Sequence, residues 1–173
     1  MKTIIRNAKI LNGDMSITDG ALCVNGGVIE CICDGGRESG AGGTPAVFDK
    51  EIDAKGNLLI PGFKNAHTHS AMTFLRSYAD DLPLLDWLNK RVFPMEAKLG
   101  AEHIYWFTKL AVLEYVSGGI TAAFDMYFEP EAVASAARET GFRITMCGAV
   151  NDFGTTPAKL RDFYEKYNKY DPL

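Results

Sequence analysis

Beyond residue 58 the chain changes rhythm, and that change constrains its fold more than any other feature. Apolar, β-rich runs ("NLLIPGFKNAHTH", "ITAAFDMYF", "FRITMCGAVND") alternate with helical stretches ("LPLLDWLNKRVFPMEAKLG", "AEHIYWFTKLAVLEYVSGG", "EPEAVASAARETG", "TPAKLRDFYEKYNKY"). Strands alternating with helices point to βα units on a parallel sheet, about three of them here. The punctuation agrees. Pro94 interrupts the first helical stretch, Gly118 and Gly119 stop the second, Pro130 opens and Gly141 closes the third, and Thr156 with Pro157 opens the fourth. Before residue 58 the pattern is short β: "KTIIRNAKILN" and "GALCVNGGVIECICD", with turn signals at "NGD" and "NGG". The predicted organisation is therefore α/β, with residues 1–58 as part of a small β-sandwich and residues 59–173 as the βα part. The glycine-rich run "GGRESGAGGTP" is read as a loop, because a phosphate cradle needs a set glycine spacing that leads into a helix.

Composition narrows the function classes. The 173 residues are 47% apolar and 23% charged, enough for a real core and typical of a soluble globular protein. The net charge is -4 with scattered lysines and arginines, so no nucleic-acid footprint is expected. The N-terminal "MKTIIRNAKILNG" is too short and too charged for a secretory signal, and "IYWFTKLAVLEYV" carries Lys109 and Glu114 and is too short to span a bilayer. A cytoplasmic protein without membrane association is expected. The four cysteines, at 23, 31, 33 and 147, have no C-x-x-C spacing. Alternation turns Cys31 and Cys33 to one strand face, where a buried apolar face is favoured over a metal half-site.

Two of the three histidines, His67 and His69, end the first βα strand. Residues i and i+2 of a strand share a face, which at the carboxyl end of a βα strand opens onto the usual active-site rim. From spacing alone the pair is either half of a zinc or iron site or two polar residues satisfied by water or backbone.

The stretch "LLIPGFKNAHTHSAMTFLRSYADDLPLLDWLNKRVFPMEAKL", with "GGITAAFDMYF" further on, resembles the amidohydrolase superfamily. Within it the chain is most similar to the 5-methylthioadenosine/S-adenosylhomocysteine deaminases and related chlorohydrolase-like enzymes. The resemblance implies a (β/α)8 TIM barrel, present here in part, flanked by a β-sandwich. It implies one divalent metal, usually zinc and sometimes iron, and no organic cofactor. His67 and His69 match the first two metal ligands. The metal lowers the pKa of a bound water, which attacks the aminated ring carbon while a carboxylate shuttles the proton. Glu96 matches a glutamate that contacts the ribose hydroxyls; read alone, it is a solvated acid at a helix start. Trp87 and Leu88 wall the substrate pocket or belong to the core. Asp125 is read as a structural or supporting carboxylate, and His103 as a surface or cap residue.

Two departures from the family pattern stand out. The third-strand position that holds an arginine in these deaminases is Gly148 here, and Arg143 lies at the wrong end of the strand. The family's chains are also much longer. The resemblance places the third metal histidine, the catalytic glutamate and the metal-binding aspartate beyond Leu173, so no proton shuttle is expected among these residues. The expectation is the first part of a metal-dependent deaminase of an adenine nucleoside such as 5'-methylthioadenosine, inactive by itself and prone to self-association through uncovered strand edges. The alternatives are a non-catalytic binding or assembly module, a small independent metal-binding protein, or a hydrolase of another aminated or halogenated heterocycle.

Overall fold

The computed structural model describes residues 1–34, 47–150 and 156–169. The glycine-rich run at 35–45, the end of the third expected βα strand (Asn151 and Asp152) and Tyr170 lie outside the described residues. The chain forms two compact units, Met1–Pro61 and Gly62–Leu173.

The first unit holds strands β1 (Lys2–Leu11), β2 (Ile17–Asn25), β3 (Val28–Asp34), β4 (Lys50–Asp53) and β5 (Leu58–Leu59). They pair in one sheet, ordered β3-β2-β1-β4, with β5 also on β1. The first three strands run antiparallel, while β4 and β5 join β1 in parallel. The β2–β3 turn passes through Gly26 and Gly27, with φ of 58° and 90°. Positive φ at both central residues gives a two-residue hairpin the twist of its strands. A sandwich needs two facing sheets; the described residues of this unit form one. Ile4, Ala21 and Cys23 pack together on it, and Ala8, Ile10 and Leu22 form a second small cluster.

The run "NLLIPGFKNAHTH" is not one strand. Pro61 and Gly62 split it: β5 ends in the first sheet, and β6 (Phe63–Thr68) begins a second. Proline has no N–H to give to a ladder, so the chain leaves one sheet there before entering the other.

In the second unit β6, β7 (Ile120–Met126) and β8 (Arg143–Cys147) lie parallel and in sequence order. Helices α1 (Leu84–Trp87), α2 (Phe93–Glu96) and α3 (Ala101–Ser117) connect β6 to β7, α4 (Pro130–Thr140) connects β7 to β8, and α5 (Pro157–Tyr164) follows β8. The result is a mixed α/β unit of three βα repeats. Alternation sorts the two sheet faces. Ala123, Ile144 and Met146 pack against Ile104 and Val112 of α3 and Val133 and Ala137 of α4, while Phe124 and Met126 stay exposed on the other face.

Pro94 bends the helical path without ending it. It has no N–H for the carbonyl four residues back and its ring would clash there. A π-helical turn at Leu88–Val92 absorbs the mismatch, with Phe93 N–H donating to the Leu88 carbonyl, and α2 starts with Pro94 in its first turn. This keeps Trp87 and Glu96 on one continuous helical path. The caps follow the sequence: Thr156 Oγ1 accepts the Lys159 N–H at 3.3 Å, Gly141 closes α4 at φ 67°, and His103 Nδ1 accepts the Gly100 N–H at 3.1 Å. No described helix is long and apolar enough to cross a membrane.

Candidate metal centre and adjoining cavity

The histidine segment departs from a plain strand. Pairing of β6 with β7 slips between Asn65 and Thr68, β6 ends at Thr68, and His69 (φ -127°, ψ 77°) leads into a 3-10 turn at Ser70–Leu75. Such irregularities re-aim side chains beside functional sites. The two imidazoles still converge, with ring centroids 5.3 Å apart and planes at 74°. His67 is exposed and His69 half-buried.

The segment is braced on both sides. His69 Nδ1 lies 2.7 Å from the Met126 carbonyl oxygen. A carbonyl only accepts, so Nδ1 carries the proton, and the neutral ring presents the Nε2 lone pair. Metal-ligating histidines are oriented by this kind of bond. The Tyr115 hydroxyl of α3 bonds both Thr68 Oγ1, at 2.5 Å, and Ser70 Oγ, at 3.0 Å, so the residues on either side of His69 share one anchor.

Asp125 completes the bracing. It is 2% exposed, and its Oδ1 accepts the Ser70 N–H at 3.0 Å. Burial pushes its carboxyl above the usual carboxylate range, opposed by the Ser70 hydrogen bonds and by His69. Its Oδ2 is buried with no partner among the described residues. A buried orphan acceptor beside two imidazoles suits the neighbourhood of a cation. The donor set therefore fits half of a zinc or iron site. Among the described residues no third imidazole, thiol or carboxylate joins the pair closely enough to complete it.

Beside the pair lies a cavity of about 610 Å³, within the size range of small-ligand sites. His69, Trp87, Glu96 and Gly148 all line it, brought there by three segments of the chain: the end of β6, the helical path through Pro94 and the end of β8. His67 touches it only through His69. Leu88, Phe93, Phe128 and Phe163 are among the residues of its apolar wall. Glu96 is fixed by Tyr127, whose hydroxyl donates to Glu96 Oε1 at 2.7 Å. Burial first, and then Glu96, raises the Tyr127 phenol well above its ordinary value, so it stays a donor. Glu96 Oε2 has no partner among the described residues.

Sequence reasoning missed Tyr127, Glu129 and Lys159, which also line the cavity. The first two lie just beyond the carboxyl end of β7, where βα units place functional residues; the aromatic run after Asp125 was the available signal. Glu129 holds φ 53°, a conformation that non-glycine residues adopt rarely and mostly where surroundings enforce it. Lys159 brings a cation to the cavity that Gly148 also lines. A Cβ at 148 would press on the Leu160 side chain at 2.9 Å, so a larger residue there requires Leu160 to move.

Comparisons with known proteins identify the family. The profile of the amidohydrolase family matches residues 58–171. The 5-methylthioadenosine/S-adenosylhomocysteine deaminase 1 of Archaeoglobus fulgidus is 45% identical over 150 residues, covering 87% of this chain and 33% of the relative. The deaminase of the same name from Acetivibrio thermocellus is 40% identical over 175 residues, covering 99% of this chain and 40% of the relative. A crystal structure of an adenosine deaminase from Xanthomonas campestris with bound zinc superposes with a TM-score of 0.83 at 28% identity, covering 99% of this chain and 40% of that one. The chain thus spans 33% to 40% of the length of these curated relatives. With the family profile matching well over half of its residues, the chain belongs to the amidohydrolase family.

Proposed function

We propose that this chain forms the first part of a metal-dependent aminohydrolase that deaminates an adenine nucleoside such as 5'-methylthioadenosine. The observation that carries the reading is the convergence of His69, Trp87 and Glu96 on one cavity. In this reading His67 and His69 hold one divalent metal, zinc in preference to iron. When bound, the metal supplies Lewis acidity and makes hydroxide available near neutral pH. The Met126 carbonyl keeps His69 in the tautomer that can ligate. Glu96, steadied by Tyr127, accepts from the two ribose hydroxyls, as a carboxylate with a free oxygen can. Trp87 and Phe128 flank the purine.

Gly148 brings no charged side chain to the cavity wall, so a charged substrate tail there would have to be met by Lys159. An uncharged methylthio tail needs no such partner, so 5'-methylthioadenosine is preferred to S-adenosylhomocysteine, with a second reading in which the substrate is another aminated or halogenated heterocycle. Two imidazoles fall short of the three protein ligands of a catalytic zinc site, so these 173 residues alone are expected to be inactive. They are also expected to self-associate, because Phe63 and Phe124 of the βα sheet and Trp106, Leu113 and Val116 of α3 are exposed. A compact monomer in sedimentation at tens of micromolar would contradict that.

The test is ammonia release. A family-length protein carrying this sequence should deaminate 5'-methylthioadenosine, and the 173-residue chain should not. In the longer protein Glu96→Gln should slow nucleosides by about tenfold or more, the cost of a hydrogen bond to a charged group, and leave free bases nearly unchanged. Equal losses for both substrate types would remove Glu96 from the ribose site. Ammonia release by the 173-residue chain, abolished by His67→Ala, would overturn the ligand count.

A further inference from the structure

The sheet of the first unit brings three cysteines together. Cys23 of β2 and Cys31 of β3 are directly paired across the antiparallel ladder, and Cys33 stands two residues on, opposite Ala21. Residues i and i+2 of a strand share a face, so all three thiols meet on one side. Cys31 Sγ and Cys33 Sγ are 3.5 Å apart, and the three sulfurs lie within 4.8 Å of one another. The close approach of β3 depends on Gly20, where a Cβ would fall on the Cys33 carbonyl oxygen.

This is not the buried apolar face expected from the alternation. Cys23 is 4% exposed and packs with Ile4 and Ala21, Cys33 is half-buried against the same cluster, and Cys31 is exposed. The trio thus has a dry floor and an open side.

We propose that Cys23, Cys31 and Cys33 form a second metal site, which holds one thiophilic d10 cation of the zinc or cadmium type through three thiolates and leaves its fourth position open to solvent. Tetrahedral zinc with sulfur at about 2.3 Å sets its ligand sulfurs about 3.8 Å apart, close to the trio's spacing of 3.5 Å for one pair and within 4.8 Å for all three. Soft sulfur ligands select this class of ion over magnesium or calcium. A disulfide would join two of the sulfurs and strand the third, whereas a cation uses all three. Burial, then the neighbouring thiols, pushes the Cys23 thiol up to about 12, so an ion must bind sulfur tightly enough to release that proton to solvent as the metal–sulfur bond forms. No electron transfer is involved.

The experiment uses the full 173-residue chain, reduced, with all four thiols confirmed by thiol titration. Cadmium is added while the ultraviolet sulfur-to-cadmium charge-transfer band is followed, and zinc then competes. One equivalent should give the band in the wild type, in His67→Ala/His69→Ala and in Cys147→Ser. In Cys31→Ser/Cys33→Ser, whose fold is checked by circular dichroism, affinity should fall at least tenfold and the band should collapse. Because Cys31 is exposed, Cys31→Ser alone serves as the mild variant and should lose about a third of the band. The proposal is overturned if the reduced wild type gives no band, if the band survives the double cysteine substitution, or if it is lost in Cys147→Ser or in the histidine variant.

Discussion

Among the described residues, two clusters of side chains could ligate a metal, and they are built in opposite ways. His67 and His69 are neighbours in sequence and lie where a strand stops; their geometry comes from bonds supplied by other elements, namely the Met126 carbonyl, the Tyr115 hydroxyl and Asp125. Cys23 and Cys31 lie on different strands, and the pairing itself assembles their cluster. A motif on a loop needs bracing to be precise, whereas a cluster on a ladder inherits its precision from the register. The two clusters should therefore fail to different perturbations.

The largest separation should come from Gly20→Ala. Its Cβ would meet the Cys33 carbonyl oxygen, forcing β3 away from β2. Overpacking of this kind costs about 1–3 kcal/mol. Thermal denaturation should show that loss, and cadmium should no longer give the thiolate band, while zinc binding at the histidines stays intact. Unchanged stability and an unchanged band would mean that the register is not what holds the thiols.

The reverse perturbation is Tyr115→Phe. It removes one hydroxyl that bonds residues on both sides of His69. At about 1 kcal/mol for a neutral hydrogen bond, zinc affinity at the histidines should fall by roughly fivefold, measured calorimetrically in the Cys31→Ser/Cys33→Ser background. The thiol cluster should be indifferent. A loss at both sites would show global unfolding rather than lost bracing.

Tyr127→Phe should act more narrowly still. It frees Glu96 without touching either metal cluster. In a family-length protein KM for a nucleoside should rise by roughly threefold to tenfold, in line with about 1 kcal/mol, with kcat for free bases unchanged. An equal change for both substrates would place Tyr127 outside ribose recognition.

The smallest effect concerns the far wall of the cavity. Glu131 of α4 accepts from Lys166 Nζ at 2.6 Å and from Tyr167 Oη at 2.7 Å, and Tyr167 stacks edge-on with Phe163 of α5. The Lys166 bond, then the Tyr167 bond, holds the Glu131 carboxyl below the usual carboxylate range. A depressed folded pKa stabilises above the unfolded value and loses that stabilisation as pH falls through the folded one. Part of the acid-side fall in Tm should therefore disappear in Glu131→Gln, with a small Tm difference at pH 7 because the group is exposed. Parallel acid limbs for the two proteins would remove Glu131 from the linkage.

The sequence made some of this legible and hid the rest for physical reasons. Helix boundaries were readable because they are local: Thr156, Pro157, Pro130 and Gly141 act within one turn of where they stand. The H-x-H pair was readable for the same reason. The split of "NLLIPGFKNAHTH" between two sheets was announced only by Pro61 and Gly62, and the apolar run on both sides masked it. Glu96 was placed through resemblance; its partner Tyr127, 31 residues on, depends on how the helical path through Pro94 meets the end of β7. Alternation put Cys31 and Cys33 on one face, but it does not say which face is covered, and it carries no trace of Cys23 arriving from the next strand.

The measurement that tests the central claim most directly is a zinc titration followed by NMR of the histidine rings, in the Cys31→Ser/Cys33→Ser background. The chain has three histidines, so each ring can be followed, and His103 serves as the internal control. The His67 and His69 signals should shift together and saturate together. The Nδ1–H of His69 should persist and its Nε2 should carry the metal shift, while His103 stays still. Zinc that moves all three rings alike, or leaves His67 and His69 unmoved, would contradict the assignment of this pair as half of a metal centre.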